Sequence, residues 1–345
     1  MKIYPASVLL ALSPLVGLTA RAADPSYHVA RTISPAGEGG WDYLVVDAAA
    51  RRLYVTRGTR VAVLNADSGA AEGEIPNTDG VHGIAIAPDL GRGFTSNGRA
   101  NTITIFDPKT LATLGVVKTT GENPDAILYD PLTHRVFTFN GRSANVTAVE
   151  GATGAVAGTF AVGGKPEFAV TDLAGRVYVN IEDRNEIVAF DSRTLKVEGH
   201  WPLAGCDAPT GLAIDVKGKR LFAGCGNQIL TVLSAADGHA VAKLPIGKGT
   251  DAVAFDPEAN LVFSSNGDGT LTVIHEDSPD AFRVVQNLPT KEGARTMALD
   301  PKTHAIFLPT ARFEAAPPPT AENPRSRRKI VAGSFEILVA APAMK

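Results

Sequence analysis

One pattern recurs seven times along the chain, and it constrains the fold more than any other feature: an apolar triplet ending in aspartate, a short polar turn, and a second apolar run that opens with an aromatic. It reads "YLVVDAAARRLYV", "AILYDPLTHRVFT", "FAVTDLAGRVYV", "GLAIDVKGKRLFA", "AVAFDPEANLVFS" and "TMALDPKTHAIFL", with a seventh copy, "GIAIAPDLGRGFT", in which Ala87 stands where the others carry the acid. The anchors Asp47, Ala87, Asp130, Asp172, Asp215, Asp256 and Asp300 are 40, 43, 42, 43, 41 and 44 residues apart. A period of roughly 40 to 45 residues is that of a four-stranded propeller blade.

Each unit continues with a Gly-containing hairpin, a strand such as "TITIF" or "LTVIH", a polar turn, and a fourth strand such as "TLGVV". No stretch carries a 3.6-residue apolar period over three turns, so helices are not expected. Abundant glycine (34) and few aromatics (6%) agree with many short strands and turns. The expected fold is all-β, a seven-bladed propeller of four-stranded blades. The last unit has only three strands, ending in "SFEILVAA", and a spare strand, "YHVARTIS", precedes the first. The N-terminal strand is therefore expected to join the C-terminal blade and close the ring.

The repeat, with "RLYV", "RVYV" and "RVFT" after its anchors, resembles the YVTN family of bacterial exported β-propellers over residues 27 to 341. The resemblance implies an exported binding or scaffold protein without a shared catalytic motif. A fold hosts many functions, so the site has to be argued from its own residues.

The first 22 residues have a basic start at Lys2, an apolar run of about 14 residues from Ala6 to Thr19 and a small-x-small site at Ala20-Arg21-Ala22. They read as a secretory signal peptide. The run is shorter than the roughly 18 apolar residues a spanning helix needs. Residues 23 to 345 form a single domain on this reading, placed in the periplasm where an outer membrane exists and secreted otherwise. Loss of Lys2 and Arg21 takes the formal charge from -3 to -5. Such a balance gives no general affinity for nucleic acid or anionic membrane. A monomer is expected.

Counting back five residues from every anchor gives Asp42, His82, Asp125, Glu167, Thr210, Asp251 and Arg295. All seven are polar, and all lie where an innermost strand begins, around one mouth of the central channel. Solvated residues at strand starts also satisfy backbone groups of neighbouring blades, which is the plain structural reading. Four acids, a histidine and an arginine are a richer set than a bland lining requires. Carboxylates crowded in a concave mouth repel unless a cation, protons or Arg295 offset them.

The hairpins on the same face carry Asn97-Gly98, Asn140-Gly141, Cys225-Gly226 and Asn266-Gly267. Asn-Gly favours tight turns because both residues tolerate positive φ. Asn97, Asn140 and Asn266 are also expected to rim the mouth, and Asn180 and Glu182 stand out in a hairpin that lacks glycine.

The ligand set expected at the mouth is Asp42, His82, Asn97, Asp125, Asn140, Glu167, Asp251, Asn266 and Arg295, with His82, Asp125, Glu167 and Asp251 as metal ligands. Oxygen donors favour Ca²⁺ or Mg²⁺ over Zn²⁺ or Cu²⁺. The ligand would be a small molecule, a cation or a partner segment. The alternative is a metal-dependent hydrolase or lyase, similar in plan to propeller lactonases, with His82 as base. No HExxH, GxSxG, P-loop or paired CxxC motif is present. His134, His304 and His275 are assigned to the opposite face. The insertion at residues 312 to 329, "RFEAAPPPTAENPRSRRK", reads as a Pro-rich loop or as a basic flap over the acidic mouth. Cys206 and Cys225, the only cysteines, belong to one blade and one face and are expected to form a disulfide.

Overall fold

The computed structural model describes Met1, residues 25–316 and residues 328–343. The expected signal peptide, beyond Met1, and the centre of the 312–329 insertion lie outside the described residues.

Seven four-stranded antiparallel sheets form the ring. Blade 3 shows the plan: inner strand Pro124–Asp130, then Arg135–Asn140, Asn145–Glu150 and outer strand Val156–Ala161. Blades 1 to 6 each use four consecutive strands. Blade 7 is built from Ala298–Asp300, Ala305–Thr310 and Glu336–Pro342, and Tyr27–Ile33 adds to it from the other end of the chain. Tyr27 pairs with Pro342 and Ile33 with Ile337, so the closure expected from the unequal ends is the one found. Apart from the 3₁₀ turn Glu182–Arg184, the regular structure of the described residues is strand. None of their helices is long and apolar enough to cross a membrane.

The aromatic that opens each second strand explains why the unit repeats. Tyr54, Phe94, Phe137, Tyr178, Phe222, Phe263 and Phe307 are all at most 1% exposed. They pack between blades rather than within one: Phe137 and Phe139 of blade 3 share a cluster with Val177, Val188 and Phe190 of blade 4. Full burial of such a side chain contributes about 2 to 3 kcal/mol, and a blade alone would leave that surface wet.

The anchor carboxylates fold the turns that follow them. Asp47 accepts the N–H groups of Ala49 and Ala50, Asp256 those of Glu258 and Ala259, and Asp215 those of Lys217 and Gly218. Some also tie blades together. Asp300 meets Arg51 at 2.8 Å and Asp256 meets His304 at 2.6 Å. At Ala87, which has no carboxylate, Asp89 lies two residues on and takes the Tyr129 hydroxyl and His134 instead. His134 and His304 thus belong to the turns beyond the inner strands, as their place in the repeat implied.

The disulfide joins Cys206 to Cys225 with Cα atoms 5.4 Å apart. It fastens the link into blade 5 to that blade's second hairpin.

The Asn-Gly dipeptides are not the positive-φ residues of their turns. Positive φ falls at Asn101, Ala144, Gln228 and Gly269, the last residue of each hairpin. The preceding glycines serve close approach. The N–H groups of Gly98, Gly141, Gly226 and Gly267 donate to the carbonyls of Gly80, Asn123, Asp207 and Gly249, pinning each hairpin to the link that enters its own blade. A Cβ on Gly98 would lie 2.6 Å from the His82 ring. Glycine here makes room for a mouth residue.

Candidate functional site

The mouth residues are re-aimed by a repeated irregularity. In blades 2 to 6 the register between the first two strands shifts at 81–83, 124–127, 166–169, 209–212 and 250–252. A bulge breaks strict alternation and turns a side chain that would otherwise follow it. Each of these intervals contains one of the mouth positions His82, Asp125, Glu167, Thr210 and Asp251.

Three acid–base groups form there. His82 Nδ1 lies 2.6 Å from Asp42 and 3.7 Å from Asp125. Lys165 Nζ lies 2.5 Å from Glu167 and also bonds Glu182. Arg295 Nε lies 3.2 Å from Asp251. Five carboxylates thus face three cations. Lys165 escaped the repeat count because it lies two residues before the Glu167 position, in the link rather than the strand. Glu182, noted only for its unusual hairpin, reaches the mouth through that lysine.

One aromatic contact reaches across the ring beside these groups. Tyr43, next to Asp42 in blade 1, meets Phe168, next to Glu167 in blade 4, with ring centroids 5.2 Å apart. These blades stand three positions apart in a ring of seven, so the contact spans the channel.

Burial dominates the protonation of these groups. It lifts Asp251 from 3.8 to about 7, against the pull of Arg295. It lifts Asp125 to about 6, with His82 pulling down and Asp42 pushing up. Glu167, only 7% exposed, is raised by burial and by the charge of Asp125. For His82, burial alone would lower the pKa, but the bond to Asp42 and the charges of Asp125 and Asp42 carry it to about 9, so the imidazole is protonated at neutral pH. Lys165 is raised because its bonds to Glu167 and Glu182 outweigh burial.

Several expected residues lie elsewhere. Asn97, Asn140 and Asn266 are fully buried, with side chains turned into their own hairpins rather than onto the rim. Asn97 donates to Thr102 and Thr104, Asn140 to Asn145 and Thr147, and Asn266 to Thr270 and Thr272. A primary amide there gives these strand-end oxygens a buried donor. Asn180 donates to the Thr210 and Gly211 carbonyls, joining blades 4 and 5. The Thr210 hydroxyl is engaged by the Thr250 carbonyl.

Among the described residues, donors that come within 4.8 Å of one another are those of Asp42, His82 and Asp125. Of the other expected metal ligands, Glu167 pairs with Lys165 and Asp251 with Arg295. Two carboxylates and an imidazole fit a divalent ion once the proton on His82 is displaced, and those residues would hold it.

No protein-family profile matches the chain, and no curated protein sequence matches it. Solved structures do. The crystal structure of the mitotic checkpoint complex aligns at a TM-score of 0.73 and 14% identity, covering 97% of this chain and 98% of that one. The structure of RRP9 WD40 repeats gives 0.76 at 10% identity, covering 93% and 100%, and that of U3-55K gives 0.74 at 10%, covering 91% and 99%. Likeness at such identities is likeness of fold, and that fold is the β-propeller.

Proposed function

We propose that this β-propeller is an exported binding protein of the YVTN type that takes a positively charged ligand in the cup formed by Asp42, His82, Asp125, Glu167, Asp251 and Arg295. The observation that carries the reading is the arrangement of five carboxylates against three cations beside the Tyr43–Phe168 contact that spans the ring. Gathering acids in a half-buried cup costs free energy in the empty protein, and ligand sites accept such a cost. The repeat resemblance, the leader-like N-terminus and the disulfide support export, since disulfides persist in oxidising compartments.

A thermal-shift titration with divalent and organic cations tests the proposal. The wild type should be stabilised by at least one of them. Changing Asp125 to Asn and Glu167 to Gln together should abolish that response and leave the unliganded protein at least as stable. A flat response in the wild type would leave a scaffold without this site.

The three-donor group Asp42, His82 and Asp125 favours one second reading, a metal-assisted hydrolase of lactonase plan. A lactone-hydrolysis screen with and without chelator would expose it.

A further inference from the structure

One buried carboxyl lies at the face opposite the mouth and takes no part in it. The third and fourth strands of blades 1 to 5 are five or six residues long. In blade 6 they run for nine each, Thr270–Ser278 and Ala281–Pro289. Glu276 lies in the lengthened end, opposite Phe282. Strand alternation puts it on the face of Ile274, which packs into the cluster shared by blades 5 and 6, and the Phe282 ring meets Phe222 of blade 5 at 5.8 Å. Glu276 therefore faces blade 5. It is 6% exposed, and both its carboxyl oxygens are buried without a hydrogen-bond partner among the described residues.

Other blades keep this position small. The N–H of Glu276 donates to the Asn260 carbonyl, and the same bond runs from Ala66, Gly151, Ser192 and Ala235 to Arg51, His134, Gly175 and Lys219. Tyr178 of blade 4 also gives its hydroxyl to the Ala235 carbonyl of blade 5. Phe222 of blade 5 has no hydroxyl, so the next junction lacks that tie and holds a carboxyl instead.

The charges nearby are engaged elsewhere. Arg220 of blade 5 directs its donors to the carbonyls of Pro279, Gly218 and Lys219 and to Asp280, while Asp215 accepts the N–H groups of Lys217 and Gly218. Within the hairpin, Asp277 lies 3.0 Å from both His275 and Arg283. Lys217 and Lys219 are exposed. An ionised carboxylate without partners is far costlier to bury than a neutral acid. Burial lifts Glu276 from 4.5 to about 7, with Asp215 adding to the rise and Arg220 opposing it.

We propose that Glu276 is a pH-operated latch: neutral, it lets the end of the blade 6 hairpin dock on blade 5, and ionised, it draws water into the junction and frees residues 276 to 282. The sign follows from linkage. The docked form holds the proton more tightly than the open one, so docking weakens as pH rises from 4.5 through about 7.

Hydrogen exchange of backbone amides on the full chain, corrected for the intrinsic effect of pH, tests the latch. Residues 276 to 282 should lose protection by roughly tenfold or more between about pH 5.5 and about pH 8.5, while the blade 3 strand Arg135–Asn140 keeps its own. Glu276→Gln, and Glu276→Ala, which installs the residue that blades 1 and 5 carry, should each show the same protection at both pH values. Equal protection of residues 276 to 282 in the wild type at both pH values would overturn the proposal. So would a pH dependence that survives in both variants, or a loss shared equally by blade 3, which would belong to the whole ring.

Discussion

Replacing Asp251 by asparagine should make the protein more stable in mild alkali and leave it unchanged in acid. Burial raises this carboxyl from 3.8 to about 7. The native state therefore holds the proton roughly a thousandfold more tightly than the unfolded chain, which at ~1.4 kcal/mol per tenfold is about 4 kcal/mol against the ionised form. The sign follows from linkage. Between pH 3.8 and 7 the native state binds more protons than the unfolded one, so this group's contribution falls as pH rises, and the full cost is present above pH 7. Asparagine never ionises and escapes the cost. It also gives up the pair with Arg295, whose pull on the carboxylate is already contained in the value of about 7. The net gain at pH 8.5 is then on the order of 4 kcal/mol, shrinking to nothing near pH 3.5. Urea unfolding of both proteins at several pH values, with equal slopes against denaturant, measures it. A variant less stable than the wild type at pH 8.5 would refute the reasoning, because Arg295 would then stabilise the carboxylate more than burial opposes it.

Other expectations are simpler to test. Replacing Cys206 and Cys225 by alanine should lower stability by about 3 kcal/mol, the loop-closure contribution for a separation of 19 residues, read by denaturant unfolding without reductant. Deleting residues 23–36 removes the strand Tyr27–Ile33 and leaves Glu336–Pro342 with an unpaired edge, so the melting temperature should fall and light scattering should rise. Gly98→Ala places a Cβ 2.6 Å from the His82 ring, so the imidazole must move off Asp42, and its NMR titration midpoint should fall from about 9 toward 6.5.

Much of this molecule was legible in the chain, and the reason is periodicity. A blade cannot bury its own aromatic, so every unit must carry the same apolar strands, turn acid and aromatic to fit its neighbours. Seven copies make the fold readable even though Ala87 breaks the pattern. The unequal ends made ring closure readable, because a three-stranded blade and a spare strand complete each other. The paired cysteines followed from their shared blade and face. Counting back from the anchors found Asp42, His82, Asp125, Glu167, Asp251 and Arg295 because strand starts recur with the repeat.

The tertiary structure decided what those residues do. Strand alternation predicts one direction for a side chain, and the bulges at the mouth break that alternation, so the facing of each residue could not be counted from the sequence. Asn97, Asn140 and Asn266 share the repeat position but turn into their own hairpins, where they donate to buried threonine hydroxyls. Lys165 and Glu182 lie outside the repeat and join the cup only because the hairpin and the link of one blade fold together. The meeting of Tyr43 with Phe168 has no local signal at all. Residues far apart in the chain touch only once the ring has closed, and the charge balance of the mouth comes from that closure.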